Sequence, residues 1–141
     1  MAKVIQLKTE QEWRQAFPVM KQLRTHLNEE TFIKLINVMK QQGYELYALI
    51  ENDDIQSVAG VAIQTNLYLD KHLFIYELVT NEANRSKGYG EQMMNFLIHY
   101  AKENGCKHIA LESGVQREDA HRFYEQKIGM KKASFSYRLA L

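Results

Sequence analysis

The sequence predicts an α/β fold in which a mixed central β-sheet is flanked by about four helices. Three observations predict it. Two helix-like segments lie near the start, strand-like segments joined by short turns fill the middle, and strands alternate with helices in the second half. No Ser/Gly-rich linker interrupts the 141 residues, a length that suits one domain. We therefore expect residues 1–141 to form a single domain.

The first elements are a short strand and two helices. Val4–Leu7 alternates in polarity, as a strand does. Thr9 and Glu12 have the spacing of a capping box, which predicts a helix running into the region of Pro18. A second helix is predicted from about Glu29 to Gln41, where the apolar residues share one helical face: Phe32, Leu35, Ile36 and Met39.

The middle of the chain is predicted to be a β-meander. Tyr44–Glu51 has strand composition, and Asn52–Asp54 is typical of a tight turn. Ile55–Tyr68 is then the hairpin partner, and Leu73–Thr80 gives a further strand.

The second half alternates helices and strands. Gly88–Asn104 is predicted to be a helix from the helical spacing of Met93, Met94, Leu97, Ile98 and Ala101, and Gly105 supplies a left-handed cap. Cys106–Leu111 is predicted to be a strand, Glu118–Gln126 a helix and Ala133–Leu139 a strand.

The composition excludes several functional classes. Lys and Arg number 18 against 17 Asp and Glu, a balance that argues against a dedicated nucleic-acid binder. No apolar run has the length of a signal peptide or membrane span, so no membrane partner is expected. The single cysteine, Cys106, has no CxxC partner, and the histidines show no metal-ligand spacing. These features predict a cytoplasmic protein without a metal.

The segment 85–90, Arg-Ser-Lys-Gly-Tyr-Gly, lies between a predicted strand and a long helix. Gly88 and Gly90 lack a Cβ, so the backbone there can approach a ligand closely. The following helix directs unpaired N–H groups into the loop, and Arg85 and Lys87 add positive charge. The pattern is typical of a phosphate site, although a purely structural glycine turn would share it.

Two other phosphate-binding motifs do not match. A Walker loop ends in Gly-Lys-Ser/Thr, whereas Gly90 is followed by Glu91 and Gln92. A dinucleotide fingerprint needs a third glycine, and that position holds Met93.

A third motif does match. Arg85-x-x-Gly88-x-Gly90 resembles the coenzyme A pyrophosphate loop of GNAT acetyltransferases. Further on, Ala120–Tyr124, read Ala-His-Arg-Phe-Tyr, followed by Gly129 and Met130, resembles the second motif of that family. Both motifs occur in the expected order, and the resemblance covers the whole chain, most strongly from about residue 73 to 141. Its implications are a GNAT-like domain and the activity of an acetyl-CoA-dependent N-acetyltransferase.

The chain departs from the family pattern at three positions. Arg117 stands where the family often has an asparagine that contacts the cofactor. Tyr124 and Gly129 are five positions apart, whereas four is usual, and Met130 replaces a common phenylalanine. The extra residue is expected to lengthen the helix end or its loop.

The resemblance also implies roles for individual residues. Acetyl-CoA, the co-substrate, would bind along the strand end and the glycine loop, at Leu78, Val79, Thr80, Arg85, Ser86, Lys87, Gly88, Tyr89, Gly90 and Glu91. The backbone N–H of Val79 would polarise the thioester carbonyl. Tyr124 would be the general acid, unless water takes that part and the ring only packs. Glu77 would be the general base or an ammonium anchor, with Glu112 as the alternative base.

The acceptor implied by the resemblance is a primary amine, more in keeping with a small molecule than a protein. The segment from about Thr25 to Tyr44 would wall its site, with Glu29 and Glu30 at one end. A homodimer is left open. Two other functional classes remain at this point: a GNAT-like domain that binds acyl-CoA without turnover, and an interaction module with a structural glycine loop.

Overall fold

The computed structural model describes residues 2–141 and is organised around a five-stranded sheet whose strands lie side by side in chain order. Strands β1 to β4 pair antiparallel with their neighbours. β5 follows a helical crossover and lies beside β4, the connection typical of a parallel pair. The strands are β1 (Lys3–Leu7), β2 (Glu45–Glu51), β3 (Asp54–Asn66), β4 (Asp70–Thr80) and β5 (His108–Leu111).

Four α-helices accompany the sheet: α1 (Glu10–Leu23), α2 (Glu29–Lys40), α3 (Tyr89–Glu103) and α4 (Glu118–Arg122). The predicted capping box is confirmed, because Thr9 and Glu12 bond reciprocally at the start of α1. Helix α1 continues past Pro18, which lies on its exposed face. The predicted α/β fold is confirmed, because the structure has a five-stranded sheet and four α-helices.

The sheet is covered on both faces. Leu46 and Ala48 of β2 belong to the core cluster formed with α1 and α2. The alternating residue Tyr47 points to the other face, where its ring lies 5.1 Å from Phe96 and 5.6 Å from Tyr100 of α3. Since both faces are buried, β2 is apolar almost throughout, as the sequence shows.

The hairpin between β2 and β3 uses the predicted Asn-Asp turn. Asn52 has φ of 56° and Asp53 φ of 63°, so both lie in the left-handed region that a two-residue hairpin of this kind requires. Asn and Asp adopt that region more readily than other residues with a Cβ. Within residues 2–141, no helix combines the length and the apolar character needed to cross a membrane.

The residues fall into two compact units, one extending to Ala110 and the other comprising Leu111–Leu141. In the second unit, α4 passes directly into a π-helical turn, Phe123–Ile128. Gly129, with φ of 85°, ends the turn and donates its N–H to the carbonyl of Tyr124. A π-turn takes one residue more than an α-turn, which accounts for the five-residue interval between Tyr124 and Gly129.

The predicted strand Ala133–Leu139 is wrong. This segment has no regular secondary structure, and the apolar side chains of its alternating pattern are exposed: Phe135, Tyr137 and Leu139, followed by Leu141. Alternation describes only the side chains, whereas a strand also requires a neighbouring backbone to satisfy its N–H and C=O groups.

Candidate functional site

The predicted phosphate loop ends at an uncapped helix N-terminus. Gly88 is the N-cap of α3, with φ of 84°, and no side chain caps the helix there. By contrast, Thr9 caps α1 and Asn28 caps α2 with side-chain oxygens. The first N–H groups of α3 therefore lack the side-chain acceptor that the other two helices have, and they carry the positive end of the helix dipole.

The loop also has room for an anion. A Cβ built on Gly88 would meet no atom within 4 Å, so the space beside this backbone is open. Arg85, Ser86 and Lys87 are exposed around it. Ser86 has φ of 68°, so the loop has a second residue in the left-handed region close to Gly88. Positive charge, an open backbone and a helix N-terminus together fit a pyrophosphate.

Two contacts that the sequence did not reveal hold this loop on the sheet. Gln56 is an extra residue in β3, because Leu49 pairs with Ser57 and Ile50 with Ile55. Its backbone carbonyl accepts from the N–H of Asn81 at 2.8 Å, and its side-chain oxygen accepts from Asn84 at 2.7 Å. The β-bulge therefore anchors the segment that leads into the loop.

Tyr89 anchors the other side of the loop. Its side chain is buried, and its hydroxyl donates to the Glu51 carboxylate at 2.5 Å. Hydrogen bonding to Glu51 is the main cause that raises the pKa of Tyr89. The hydroxyl of Tyr89 is therefore already engaged within the protein. No sequence motif identified Glu51 as the partner of Tyr89.

A second bulge, next to Glu77, interrupts the regular alternation of side chains between the two faces of the sheet. Gly60 of β3 pairs with Glu77 and Val61 pairs with Ile75, so Tyr76 is an extra residue in β4. Bulges are common beside active sites because they redirect a side chain. The Glu77 side chain is only 12% exposed.

Glu77 is held by two side chains from distant parts of the sequence. Tyr44 donates its hydroxyl to Oε1 at 2.6 Å, and Arg24 Nη2 lies 3.5 Å from Oε2. Arg24 Nη2 also donates to the carbonyl of Tyr76 at 2.7 Å. Burial raises the pKa of Glu77, and the hydrogen bond from Tyr44 and the charge of Arg24 partly oppose that rise.

Gly60 makes the pairing of Tyr44 and Glu77 possible. A Cβ at this position would lie 1.9 Å from the Tyr44 hydroxyl oxygen and 2.2 Å from Glu77 Oε1. The absence of a side chain thus leaves the space in which the two groups meet. Burial, followed by the charge of Glu77, raises the pKa of Tyr44, so its hydroxyl stays a donor at neutral pH.

A cavity of about 250 Å³ opens against Glu77. Its polar lining residues are Arg24, His26, Tyr44 and Glu77, and its apolar ones are Met20, Leu27, Phe32, Leu35, Ile36 and Met39. Most of them come from the segment that the sequence analysis expected to wall an amine site. Glu29 and Glu30 are not among them, because both bond to Arg14 at 2.9 Å.

The strand end between the cavity and the loop is paired with β3. Leu78 and Val79 are buried, and Thr80 is the last residue of β4. Val79 pairs with Val58 of β3, and its carbonyl accepts from the Ser57 hydroxyl at 3.1 Å. The residues expected to bind the ligand, Leu78 to Glu91, thus begin directly after Glu77 and end in the first turn of α3.

Tyr124 belongs to the C-terminal unit. It is buried there, in the π-helical turn, and burial raises its pKa, with an opposing effect from the nearby Arg117 guanidinium. Glu112 of the same unit is exposed and accepts from Ser136 at 3.2 Å, with Arg138 at 3.5 Å. Its setting differs from the buried carboxylate expected of a general base. Among residues 2–141, no group of three or more His, Cys, Asp or Glu could hold a metal ion.

The chain is similar to known proteins along most of its length. Residues 8–130 match the model of the acetyltransferase (GNAT) family. The uncharacterized N-acetyltransferase YhdJ of Bacillus subtilis (strain 168) is 37% identical over 134 residues, which cover 94% of each chain.

Solved structures agree on the fold. A transcriptional regulator from Bacillus halodurans C-125 superposes with a TM-score of 0.86 at 24% identity, over 100% of both chains. The aminoglycoside N-acetyltransferase AAC(6')-Iy, solved in complex with CoA, superposes with a TM-score of 0.83 at 12% identity, over 100% of this chain and 95% of the other. At these identities the likeness concerns the fold alone.

Proposed function

The chain belongs to the GNAT acetyltransferase family, and from that premise we propose that it transfers an acetyl group from acetyl-CoA to the primary amine of a small molecule. One observation carries the proposal. A continuous stretch of chain joins an apolar cavity containing a buried carboxylate, Glu77, to the uncapped N-terminus of α3. We further propose that residues 1–141 act as one domain in the cytoplasm. The single domain is supported by the family match, residues 8–130, which runs through both compact units.

Acetyl-CoA is assigned to the strand end and the glycine loop. The pyrophosphate would be held by the N–H groups that begin α3 and by the exposed Arg85 and Lys87. Leu78, Val79 and Thr80 would align the acetyl end, with the Val79 N–H directed to the thioester carbonyl. The remaining loop residues, Ser86, Gly88, Tyr89, Gly90 and Glu91, would contribute the backbone of the cradle.

The chemistry requires two proton transfers. The amine nitrogen forms a bond to the thioester carbon, the carbon–sulfur bond breaks, and the amine loses a proton. Glu77 would take that proton directly or through a water, since burial raises its pKa toward the range useful for a base. Tyr124, whose hydroxyl is protonated at neutral pH, would donate a proton to the departing thiolate and regain one from solvent.

The test of this function is a thiol-release assay with acetyl-CoA and a panel of amines. Release of CoA that depends on both the protein and an amine, with the acetylated amine identified by mass, supports the proposal. Binding of acetyl-CoA without turnover on any amine would instead favour the non-catalytic acyl-CoA-binding domain.

Acetyl-CoA should stabilise the fold against heat. A ligand that binds only the folded state, present at about 100 times its dissociation constant, adds about 2.7 kcal/mol to the free energy of unfolding. Differential scanning fluorimetry should therefore show an increase of several degrees in Tm. Pantetheine, which lacks the pyrophosphate, is the control and should shift Tm less. An unchanged Tm at millimolar acetyl-CoA would contradict the loop assignment.

Replacing Glu77 by Gln should remove the contribution of the carboxylate to the acidic limb of the pH–rate profile. The base must be deprotonated, so kcat/KM of the natural enzyme should fall as the pH drops through the pKa of Glu77, which lies above its ordinary 4.5. Glu77→Gln should lower kcat roughly 10²–10⁴-fold and leave only the fall in rate that protonation of the amine substrate causes. Glu112→Gln, at an exposed carboxylate, is the matched control. The same loss in Glu112→Gln, with Glu77→Gln active, would move the base to Glu112.

The raised pKa of Glu77 also affects stability. Because its folded-state pKa lies above the unfolded value, Glu77 stabilises the fold fully below its ordinary pKa, and this contribution is lost as the pH rises through the folded pKa. The free energy of unfolding should be measured for the natural protein and for Glu77→Gln between the unfolded and the folded pKa of Glu77. It should depend less on pH in Glu77→Gln.

A further inference from the structure

The cavity beside Glu77 indicates which kind of group can accompany the amine nitrogen of the acceptor. We infer that the acceptor is a small primary amine with an apolar body, such as an alkyl or arylalkyl group, whose nitrogen sits at Glu77. This inference rests on the proposed function and adds the chemical class of the substrate.

Size is the first argument. The cavity holds about 250 Å³, below the roughly 300–1,000 Å³ of sites for drug-sized ligands. It suits one ring or a short chain and is too small to enclose a molecule of several sugar rings.

The chemistry of the walls is the second argument. Six apolar side chains line the cavity: Met20, Leu27, Phe32, Leu35, Ile36 and Met39. Two of the polar lining residues, Tyr44 and Arg24, already direct donors to Glu77. A hydroxyl-rich amine would lose its water here without gaining enough partners, whereas an apolar body gains from burial.

Charge is the third argument. Within the described part of the chain, Glu77 is the one acidic residue that lines the cavity. A monoamine places its one nitrogen there and brings no second nitrogen into the cavity. A polyamine would bring a second ammonium group into an apolar space that also holds the Arg24 guanidinium, and that arrangement is costly.

The experiment compares kcat/KM for three amines at saturating acetyl-CoA. We expect 2-phenylethylamine to exceed ethanolamine and spermidine by roughly 100-fold, because each buried methylene contributes about tenfold or more. Equal or better rates with ethanolamine or spermidine would overturn the inference and leave the proposed function standing.

A pair of variants on α2 ties the preference to the cavity. Leu35 lines it and is 44% exposed, while Val38, 53% exposed on the same helix, is not among its lining residues. Leu35→Asp should lower kcat/KM for 2-phenylethylamine at least tenfold, and Val38→Asp should leave it unchanged. Leu35→Gln, which keeps better helix propensity, should give a smaller loss in the same direction.

The acetyl-CoA-induced rise in Tm, measured on each variant, reports an intact fold and cofactor loop. Equal losses in Leu35→Asp and Val38→Asp, with that rise preserved, would contradict the location of the acceptor. If no amine is acetylated although acetyl-CoA binds, the proposed function fails, and the inference fails with it.

Discussion

Gly88→Asp is expected to abolish acetyl-CoA binding while the protein still folds. Gly88 has φ of 84° and open space beside its Cα, the space assigned to the pyrophosphate. An aspartate would fill that space and place a negative charge against the phosphates. The left-handed backbone adds about 1–2 kcal/mol of strain, which a domain with the usual 5–15 kcal/mol of stability tolerates. Isothermal titration calorimetry should show at least a 100-fold weaker Kd.

Gly88→Asn is the matched control, because asparagine has the same shape and the same left-handed backbone without the charge. Its Kd should lie between those of the natural protein and Gly88→Asp, and the difference between the two variants reports the electrostatic part. Circular dichroism and the Tm of the apo proteins test the fold. Acetyl-CoA binding by Gly88→Asp as tight as that of the natural protein would show that the pyrophosphate binds elsewhere.

Tyr124→Phe is expected to lower kcat by roughly 10²–10⁴-fold, about 3–5 kcal/mol of activation free energy, with little change in the Kd of acetyl-CoA. The substitution removes one hydroxyl from a buried ring, so packing should survive with a stability change within about 1 kcal/mol. Because burial raises the pKa of Tyr124, the hydroxyl stays protonated across neutral pH, and the loss should be nearly constant from about pH 6 to 9.

Tyr137→Phe makes the same chemical change at a tyrosine that is 90% exposed, and it should leave kcat unchanged. Steady-state kinetics beside calorimetric binding separates turnover from affinity. If Tyr124→Phe turns over normally at saturating substrates, water supplies the proton and Tyr124 has a packing role.

The parts of the fold that depend on local sequence could be predicted. The capping box of Thr9 and Glu12, the Asn-Asp turn and the glycine at the start of α3 each depend on residues within one turn of one another. Their backbone conformations follow from side-chain chemistry at fixed spacing, so a single sequence is sufficient.

The support of the candidate site could not be predicted, because it depends on register and on distant pairs. The bulges at Gln56 and Tyr76 exist only relative to the partner strands. Tyr44 and Glu77 are 33 positions apart, and neither a motif nor a spacing connects them. Similarly, alternation at 133–139 predicted a strand that the structure lacks, since side-chain pattern does not provide a pairing partner.

The close approach at Gly60 has a consequence for how sequences of this kind can diverge. An alanine there would bring its Cβ to 1.9 Å from the Tyr44 hydroxyl oxygen, 2.5 Å from Cζ of the same ring and 2.2 Å from Glu77 Oε1. Both side chains are largely buried, so the tyrosine–carboxylate pair could not persist unchanged. Positions 60, 44 and 77 should thus vary as a set: homologues with a side chain at the position of Gly60 should also have replaced Tyr44 or Glu77, and their acceptor chemistry should differ accordingly.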